Sequence, residues 1–364
     1  MNLGGRVLIY GATGYTGRLI AGRLLNSRSE PIVSGRTPDR VQALASELGV
    51  SARVSGIDQP QALDDALQDV DVLINAASPF ASTAPALIES CLRTKTHYLD
   101  VTGELPVFQN AFGYDAAARK RGIMIMPGAG LAVVASDCLA KHVAELVPNA
   151  KYLRIALLRP GLFSRGSIRS ALGLANSRVC IRRNQRLMSL PAGRLQRAFD
   201  FGDGERESVA VSWPDVFTAW YSTGIRNIEA YLEADFASRA LYQVGAGVAD
   251  TMQLKPFKAL IDALTRALPE GPSEVRRRAE RCVIVAEAED SWRQRRCVRL
   301  TTVDGYSFTA EAAAAIAERI LAGDFTCGFQ TPASVYGADL VLELETTHRE
   351  ELRRPFSAHE RISS

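Results

Sequence analysis

The strongest constraint on the fold is a glycine-rich turn near the amino terminus, in the sequence RVLIYGATGYTG at residues 6–17. A short apolar run stops at Gly11, and an amphipathic helical pattern starts a few residues later. In a strand–turn–helix unit, the first glycine permits a tight turn and the second lets backbone N–H groups approach phosphate oxygens. The third lets the helix pack closely on the strand. Gly11, Gly14 and Gly17 have this spacing, which favours a nucleotide-binding unit over an ordinary turn.

The next apolar run, at residues 31–36, ends in Ser34, Gly35 and Arg36. Domains of this kind that prefer NAD place Asp or Glu at this strand end, where the carboxylate binds the ribose 2′-hydroxyl. The sequence has no acid there. An arginine suits a 2′-phosphate because its guanidinium donates two parallel hydrogen bonds. The alternative is that Arg36 only begins a solvated helix, but the pattern favours NADP(H) as the cofactor.

Strand and helix patterns alternate through the first 130 residues. Further strands are predicted at 52–54, 71–77, 97–101 and 123–126, and helices at 38–48, 60–67, 85–93 and 107–121. Such alternation is typical of a parallel sheet with helices on both faces. The fold class predicted is α/β, with a Rossmann-type doubly wound parallel sheet.

From residue 151 the pattern changes to strands separated by Gly- and Arg-rich turns. Strands are predicted at 152–158, 178–181, 208–212, 281–289 and 294–302, and helices at 214–222 and 257–268. These elements indicate an inserted, mixed α+β substrate domain. Two closing helices are expected, one running from a Thr309 cap to 321 and one from Thr331 and Pro332 to about 344.

Composition excludes several classes of partner. The net charge of +3 over 364 residues is too small to indicate nucleic acid or a membrane as a partner. The longest uncharged stretch, 122–136, is too short to span a bilayer. The apolar run before Gly11 is predicted to be a strand, and it starts so close to residue 1 that we expect no signal peptide. Six dispersed cysteines without a CxxC pair indicate a reducing compartment, and the four histidines show no metal-ligand spacing. We therefore expect a cytoplasmic, metal-free protein without a membrane span.

Five segments together resemble the saccharopine dehydrogenase-like oxidoreductases, a group that includes saccharopine reductases and trans-acting enoyl reductases. The segments are GATGYTGRLIA at 11–21, SGR at 34–36, YLDVTGE at 98–104, STGIRNIEAY at 222–231 and GFQTPASVYGADLVL at 328–342. The resemblance implies an NADP-binding domain at 1–130, completed by returning helices at 309–364, around an inserted domain at 131–308. Enoyl reductase-like members carry a Cys-Gly-Phe-Asp-type turn after the sixth strand, whereas this chain has Pro-Gly-Ala-Gly at 127–130.

Two neighbouring families lack support from the residues. Short-chain dehydrogenases need Tyr and Lys four residues apart, and none of the ten tyrosines has a lysine at that spacing. N-acetyl-glutamyl-phosphate reductases need a nucleophilic cysteine in a Pro-Gly-Cys turn, which this sequence does not contain.

The candidate cofactor site follows from the rule that ligands of a doubly wound sheet lie at the carboxyl ends of its strands. Small residues after the strand at 71–77 would let the ribose and nicotinamide lie against backbone. The predicted cofactor-binding residues are Gly11, Thr13, Gly14, Tyr15, Thr16, Gly17, Ser34, Gly35, Arg36, Asp58, Asn75, Ala76, Ala77, Ser78, Thr102, Gly103 and Gly128.

Catalytic residues are harder to assign. Glu104 is a candidate proton donor, or else an acid favoured by the N-terminal dipole of the helix that follows it. Tyr221 is a second candidate, but it and Tyr231 have the near-helical spacing of core aromatics. Since no His or Lys has the context of an acid or base, a bound water remains a third source of the proton.

The predicted function is NADP(H)-dependent reduction of a C=C or C=N bond in a small or carrier-bound substrate. Imine chemistry would need cations that hold carboxylates, and the arginines between Arg154 and Arg197 could form such a rim. They could equally be a solvated face paired with the acids at 200–207. Homo-oligomers are common among such enzymes. The alternative function is a non-catalytic NADP-sensing or regulatory protein on the same fold.

Overall fold

A computed structural model describes residues 5–26, 29, 31–158, 178–234, 271–352 and 361–362. The chain divides into two compact units. Unit 1 consists of Met1–Val134 and Gly305–Val335, and unit 2 of Ala135–Asp304 and Tyr336–Ser364. The helix predicted at 257–268 lies outside the described residues.

The described elements follow in chain order. The strands are β1 (Val7–Tyr10), β2 (Pro31–Gly35), β3 (Ala52–Val54), β4 (Val72–Asn75), β5 (His97–Asp100), β6 (Met124–Met126), β7 (Tyr152–Leu157), β8 (Arg178–Arg183), β9 (Arg186–Pro191), β10 (Leu195–Asp200), β11 (Glu205–Ala210), β12 (Asn227–Glu233), β13 (Arg281–Glu289), β14 (Arg295–Val303), β15 (Gly328–Phe329), β16 (His348–Leu352) and β17 (Arg361–Ile362). The helices are α1 (Tyr15–Asn26), α2 (Pro38–Leu48), α3 (Pro60–Ala66), α4 (Phe80–Thr94), α5 (Leu105–Phe112), α6 (Asp115–Arg121), α7 (Leu131–Leu146), α8 (Asp215–Thr223), α9 (Glu274–Ala279), α10 (Gly305–Leu321) and α11 (Pro332–Tyr336), with a 3₁₀ helix at Leu340–Glu343.

Unit 1 is built on a parallel sheet with strand order β15-β6-β5-β4-β1-β2-β3. The order reverses between β1 and β4, which is the topological switch point of a doubly wound sheet. The strands are short and apolar, and β1, β2, β4 and β6 are buried along their whole length. The predicted Rossmann-type parallel sheet is confirmed.

Unit 2 contains a mixed sheet with strand order β16-β14-β13-β7-β12-β11-β10-β17, and β8 joins β12 to β9. The pair β7–β12 is parallel, and the pairs β13–β7 and β13–β14 are antiparallel. One face carries an apolar cluster that includes Ala156, Phe199, Tyr231 and Val285. This confirms the predicted mixed sheet, and it places Tyr231 in the core.

Four helix predictions were wrong in their bounds. The helix expected at 85–93 is α4, which starts five residues earlier, at Phe80. The helix expected at 107–121 is two helices, because Gly113 and Tyr114 form i→i−3 hydrogen bonds that end α5. Thr309 does not cap α10, which starts four residues earlier; its hydroxyl donates to the Gly305 carbonyl at 2.6 Å and accepts from the Leu131 N–H at 3.0 Å.

The last predicted helix is shorter than expected, and the chain then leaves unit 1. Helix α11 ends at Tyr336, before Gly337 takes the left-handed backbone conformation with φ +78°. Beyond it, β16 pairs with β14 in the sheet of unit 2. The returning segment of unit 1 is therefore Gly305–Val335, shorter than the segment at 309–364 that the resemblance implied.

Candidate functional site

The turn after β1 is held against two neighbouring strands. Gly11 adopts φ +82°, and its N–H donates to the carbonyl of Ser34 at 2.9 Å. A Cβ on Gly11 would lie 2.8 Å from the backbone nitrogen of Ala77, at the end of β4. Only glycine satisfies both the backbone conformation and this approach. The turn is thus fixed at the switch point of the sheet.

The third glycine of the motif brings α1 onto the turn. A Cβ on Gly17 would lie 2.4 Å from the carbonyl oxygen of Gly11 and 2.7 Å from the Cα of Ala12. Gly14, by contrast, is exposed, and its Cβ would meet only the Gly11 carbonyl oxygen, at 3.3 Å. Gly14 therefore faces outward with its backbone accessible, at the N-terminal end of α1, where a helix binds phosphate.

The end of β2 presents the groups expected to select the cofactor. Ser34 is fully buried, and its hydroxyl oxygen has no hydrogen-bond partner. Arg36 is exposed, and it forms no ion pair with the residues that the structure describes. The Tyr10 hydroxyl donates to the Ser55 carbonyl at 3.2 Å. Burial raises the pKa of Tyr10, the positive charge of Arg36 opposes this rise, and the negative charge of Asp58 adds to it.

A buried polar network joins the ends of β4 and β5. The Nδ2 of Asn75 donates to the Thr83 hydroxyl at 3.0 Å and to the Tyr98 hydroxyl at 3.2 Å. The Asn75 Oδ1 accepts the Ala77 N–H at 3.0 Å, and the Thr83 hydroxyl donates to the Ala77 carbonyl at 2.8 Å. Both polar groups of the Ala77 backbone are therefore held in place beside the glycine turn.

Asp100 extends this network to the loops after β5 and β6. Its Oδ1 accepts the N–H groups of Thr102 and Gly128, both at 2.9 Å, and its Oδ2 accepts the Tyr98 hydroxyl at 2.9 Å. Burial raises the pKa of Asp100 to about 6, although these three donors oppose the rise. One carboxylate thus positions two of the predicted cofactor-binding residues.

Glu104 is committed to a helix end. Its Oε1 accepts the N–H of Phe80 at 3.1 Å and its Oε2 accepts the N–H of Ala81 at 2.9 Å, both in the first turn of α4. These are orphan donors of the helix, and the negative charge also complements the helix dipole. Glu104 stands at the N-cap of α5, as predicted, but its carboxylate accepts no capping hydrogen bond from α5 and binds the N-terminus of α4 instead. A catalytic role for Glu104 stays a prediction.

The other candidate donor, Tyr221, lies half-buried on α8 of unit 2, so it shares no unit with the cofactor-binding candidates. The two catalytic candidates, Glu104 and Tyr221, therefore belong to different units. All the cofactor-binding candidates belong to unit 1, at or after the carboxyl ends of β1–β6.

Two of the arginines predicted as a cationic rim, Arg154 and Arg197, are buried in ion pairs instead. Arg154 Nη1 lies 2.9 Å from both Glu287 Oε1 and Glu289 Oε2, and Arg197 Nη2 lies 2.9 Å from Glu287 Oε1. All four side chains are at most a tenth exposed. They are buried rather than solvated, and their partners are not the acids at 200–207, so the predicted solvated face was wrong for this pair of arginines.

The sequence did not identify the full network around Asp100. Its members come from β4, β5 and α4, and their hydrogen bonds follow the register that sets Asn75 beside Asp100. One sequence feature indicates this network, namely the Tyr-Leu-Asp pattern at the end of β5. It puts the polar groups of Tyr98 and Asp100 on the same side of a buried strand.

The residues of unit 1 fit a nicotinamide dinucleotide. The glycine turn lies against β4, and within the described part of the chain the buried Ser34 hydroxyl has no hydrogen-bond partner and the Arg36 guanidinium no ion pair. These groups meet the needs of a pyrophosphate and a phosphorylated ribose. Residues 7–126 match the family model of the saccharopine dehydrogenase NADP binding domain. The cofactor is NADP(H), as predicted.

Two curated relatives are similar to part of this chain. The trans-acting enoyl reductase of Mycobacterium ulcerans (strain Agy99) is 28% identical over 145 residues, 38% of this chain and 35% of that protein. The trans-acting enoyl reductase of Mycobacterium leprae (strain TN) is 30% identical over 139 residues, 36% of this chain and 33% of that protein. The match spans about a third of each relative's length.

A solved structure resembles nearly the whole fold. Apo histidine-tagged saccharopine dehydrogenase (L-Glu forming) from Saccharomyces cerevisiae superposes with a TM-score of 0.62 at 15% identity. The superposition covers 96% of this chain and all of that one. At this identity the likeness establishes the shared architecture of a Rossmann-type sheet with a second, mixed sheet.

The residues that the structure describes contain neither a candidate metal site nor a candidate membrane-spanning helix. These residues contain no group of three or more His, Cys, Asp or Glu side chains arranged to hold a metal ion. Nor does any helix in the described ranges combine the length and apolar character needed to cross a bilayer.

Proposed function

We propose that this chain uses NADPH to reduce a C=C bond conjugated to a carbonyl group, in a small or carrier-bound substrate. The observation that carries the proposal is the NADP-binding domain at 7–126, whose glycine turn and loop ends are already fixed by hydrogen bonds. The two relatives named as enoyl reductases support C=C as the reduced bond. Their description as trans-acting supports a substrate delivered by a carrier.

In such a reaction NADPH supplies a hydride to the carbon β to the carbonyl, and a proton adds to the α carbon. The chain's own contribution is placement, because the Ala77 backbone and the Gly128 loop are held by Asn75 and Asp100. Glu104 accepts two backbone N–H groups, which supports a positioning role for it rather than proton donation. Tyr221 and water are then the candidates for the proton source.

The alternative of C=N reduction receives less support from unit 2. An imine formed from amino and oxo acids carries carboxylates, which need cations to hold them. Arg154, Arg183 and Arg197 are instead paired with glutamates. The Arg182 guanidinium stacks 4.2 Å from the centre of the Trp220 ring, and its Nε donates to the Val216 carbonyl at 2.6 Å.

The test is turnover with NADPH that carries deuterium at the transferred position. One panel contains enoyl thioesters and enones, and the other contains oxo acids mixed with amino acids. We expect oxidation of the cofactor with the first panel and a product with one deuterium on the β carbon. The Gly14→Val variant is the matched control, because its side chain blocks the accessible backbone of the turn and its Cβ would meet only the Gly11 carbonyl oxygen, at 3.3 Å.

The outcomes separate the alternatives. Deuterium on a former imine carbon would show C=N reduction. Tight NADPH binding without turnover on either panel would instead support an NADP-sensing protein. Turnover that survives in Gly14→Val would contradict the assignment of the cofactor site.

A further inference from the structure

One end of the unit 2 sheet combines exposed aromatic side chains with cations. Strands β7 and β12 start side by side, with Tyr152 opposite Asn227, and the β13–β14 turn reaches the same end because Glu289 pairs with Tyr152. We call this surface the basic tip. It consists of Lys151, Tyr152, Arg226, Trp292 and Arg293.

Trp292 is the most unusual member of the basic tip. Its side chain is 82% exposed, although tryptophan is usually among the more buried residues. The turn that carries it is braced, because Asp290 Oδ1 accepts the N–H of Trp292 at 2.8 Å and that of Gln294 at 2.9 Å. The Asp290 N–H also donates to the Gln294 carbonyl at 3.2 Å. The indole is therefore presented to solvent by an ordered turn.

The cations of the basic tip are uncompensated. Lys151, Arg226 and Arg293 form no ion pair with any residue in the described ranges. The nearest strand-end acids are already engaged, since Glu289 pairs with Arg154 and Arg295 and Asp290 braces the turn. The surface thus carries net positive charge around an apolar ring.

We propose that the basic tip docks on a membrane surface that contains anionic lipid, with the Trp292 indole inserted at the level of the headgroups. Tryptophan favours the interface between water and hydrocarbon because its ring is apolar and its N–H is a donor. Adjacent Lys and Arg side chains are attracted to anionic headgroups.

The shape of the basic tip favours a lipid surface over an acidic protein. Stable protein interfaces bury about 800 Å² on each partner around an apolar core. Here the apolar contribution is one protruding indole and Tyr152, which is 38% exposed and has Arg154 5.5 Å from its ring centre. A single ring flanked by cations can insert into a layer of lipid headgroups, which does not require a large complementary apolar surface.

The experiment is co-sedimentation of the full chain with vesicles of phosphatidylcholine alone or with about 30 mol % phosphatidylserine. We expect binding only to the anionic vesicles, weakening as salt is added, with a blue shift of tryptophan fluorescence. Trp292→Ala and Arg293→Glu should each weaken binding by about tenfold or more. The matched control is Val275→Ala, because Val275 is 79% exposed on α9, away from the basic tip.

Three results would overturn the proposal. The first is that the chain does not bind anionic vesicles. The second is that Val275→Ala weakens vesicle binding as much as Trp292→Ala does. The third is that Trp292→Ala binds the anionic vesicles as well as the wild type does. Poly-glutamate serves as a soluble polyanion. If it captures the chain as well as the vesicles do, and Trp292→Ala has no effect on that capture, the basic tip is an acidic-protein surface instead. Retained NADPH binding in each variant confirms that it is folded, so the result does not depend on the proposed reaction.

Discussion

The two units bury carboxylates in opposite ways. In unit 1, Asp100 and Glu104 accept backbone N–H groups from loops and from a helix end. In unit 2, Glu229 and Glu287 pair with arginines on other strands of the same sheet. A carboxylate bound to the main chain fixes where a loop lies, whereas a carboxylate bound to an arginine ties one strand to another. The first arrangement shapes a ligand site, and the second holds a sheet together.

The largest effect is expected where a buried ion pair is broken. Glu287→Gln leaves Arg197 buried without a charged partner, so the free energy of unfolding should fall by about 3 kcal/mol. Urea denaturation measures this, and the exposed pair of Arg296 and Glu351 supplies the control. Glu351→Gln should cost under about 1 kcal/mol. Equal losses in both variants would contradict a strand-tying role for Glu287.

A smaller loss of stability, with a loss of cofactor affinity, is expected in unit 1. Asp100→Ala removes the acceptor of two buried N–H groups, which should cost about 2 kcal/mol and weaken NADPH binding because both loops border the site. Tyr98→Phe keeps both N–H bonds and should cost less. Unchanged NADPH affinity in Asp100→Ala would mean that the carboxylate does not position the loops.

Arg36 tests the contrast between paired and unpaired arginines. Because it is exposed and forms no ion pair among the described residues, Arg36→Ala should leave the free energy of unfolding nearly unchanged. NADPH affinity should fall by about 1.5–3 kcal/mol, while NADH affinity stays constant. Titration calorimetry with both cofactors measures the difference. An equal loss for both would show that Arg36 does not bind the 2′-phosphate.

Asp215 is the exception in unit 2, and its expected effect depends on pH. It is fully buried, and burial raises its pKa to about 8, although a hydrogen bond from Ser136 opposes the rise. Between about pH 4 and pH 8 the folded state keeps a proton that the unfolded state has lost, so stability falls as pH rises through this range.

Asp215→Asn cannot ionise, so the variant should be more stable than wild type by about 1–3 kcal/mol at pH 9 and nearly equal to it at pH 5. Urea midpoints at the two pH values measure the effect. The exposed Asp65→Asn should show no such pH dependence. A pH-independent difference between Asp215→Asn and wild type would mean that Asp215 does not titrate in the folded protein.

Local patterns predicted much of this fold. Strand β13 has the bounds read from the sequence, because alternating apolar residues and flanking turns specify it. The glycine turn was equally predictable, since Gly11 and Gly17 are required by contacts within a few residues or with an adjacent strand. Helix α7 was missed, because its first part at residues 131–136 is apolar or small throughout and shows no polar face that would mark a period.

Contacts distant in sequence were not predictable from such patterns. Strand β15 has two residues, too few to show a period, and it exists because Gly328 and Phe329 pair with β6. The partners of Arg154 were missed for a similar reason, because Glu287 and Glu289 follow it by more than 130 positions. In both cases strand register brings the residues together.

The short strand β15 bears on how the protein forms during synthesis. It completes the sheet beside β6, yet it leaves the ribosome roughly 200 residues later, a delay of about 10–40 s. During that interval the apolar edge of β6 is available to any other strand. The sheet of unit 1 is therefore completed only after most of unit 2 has been synthesised.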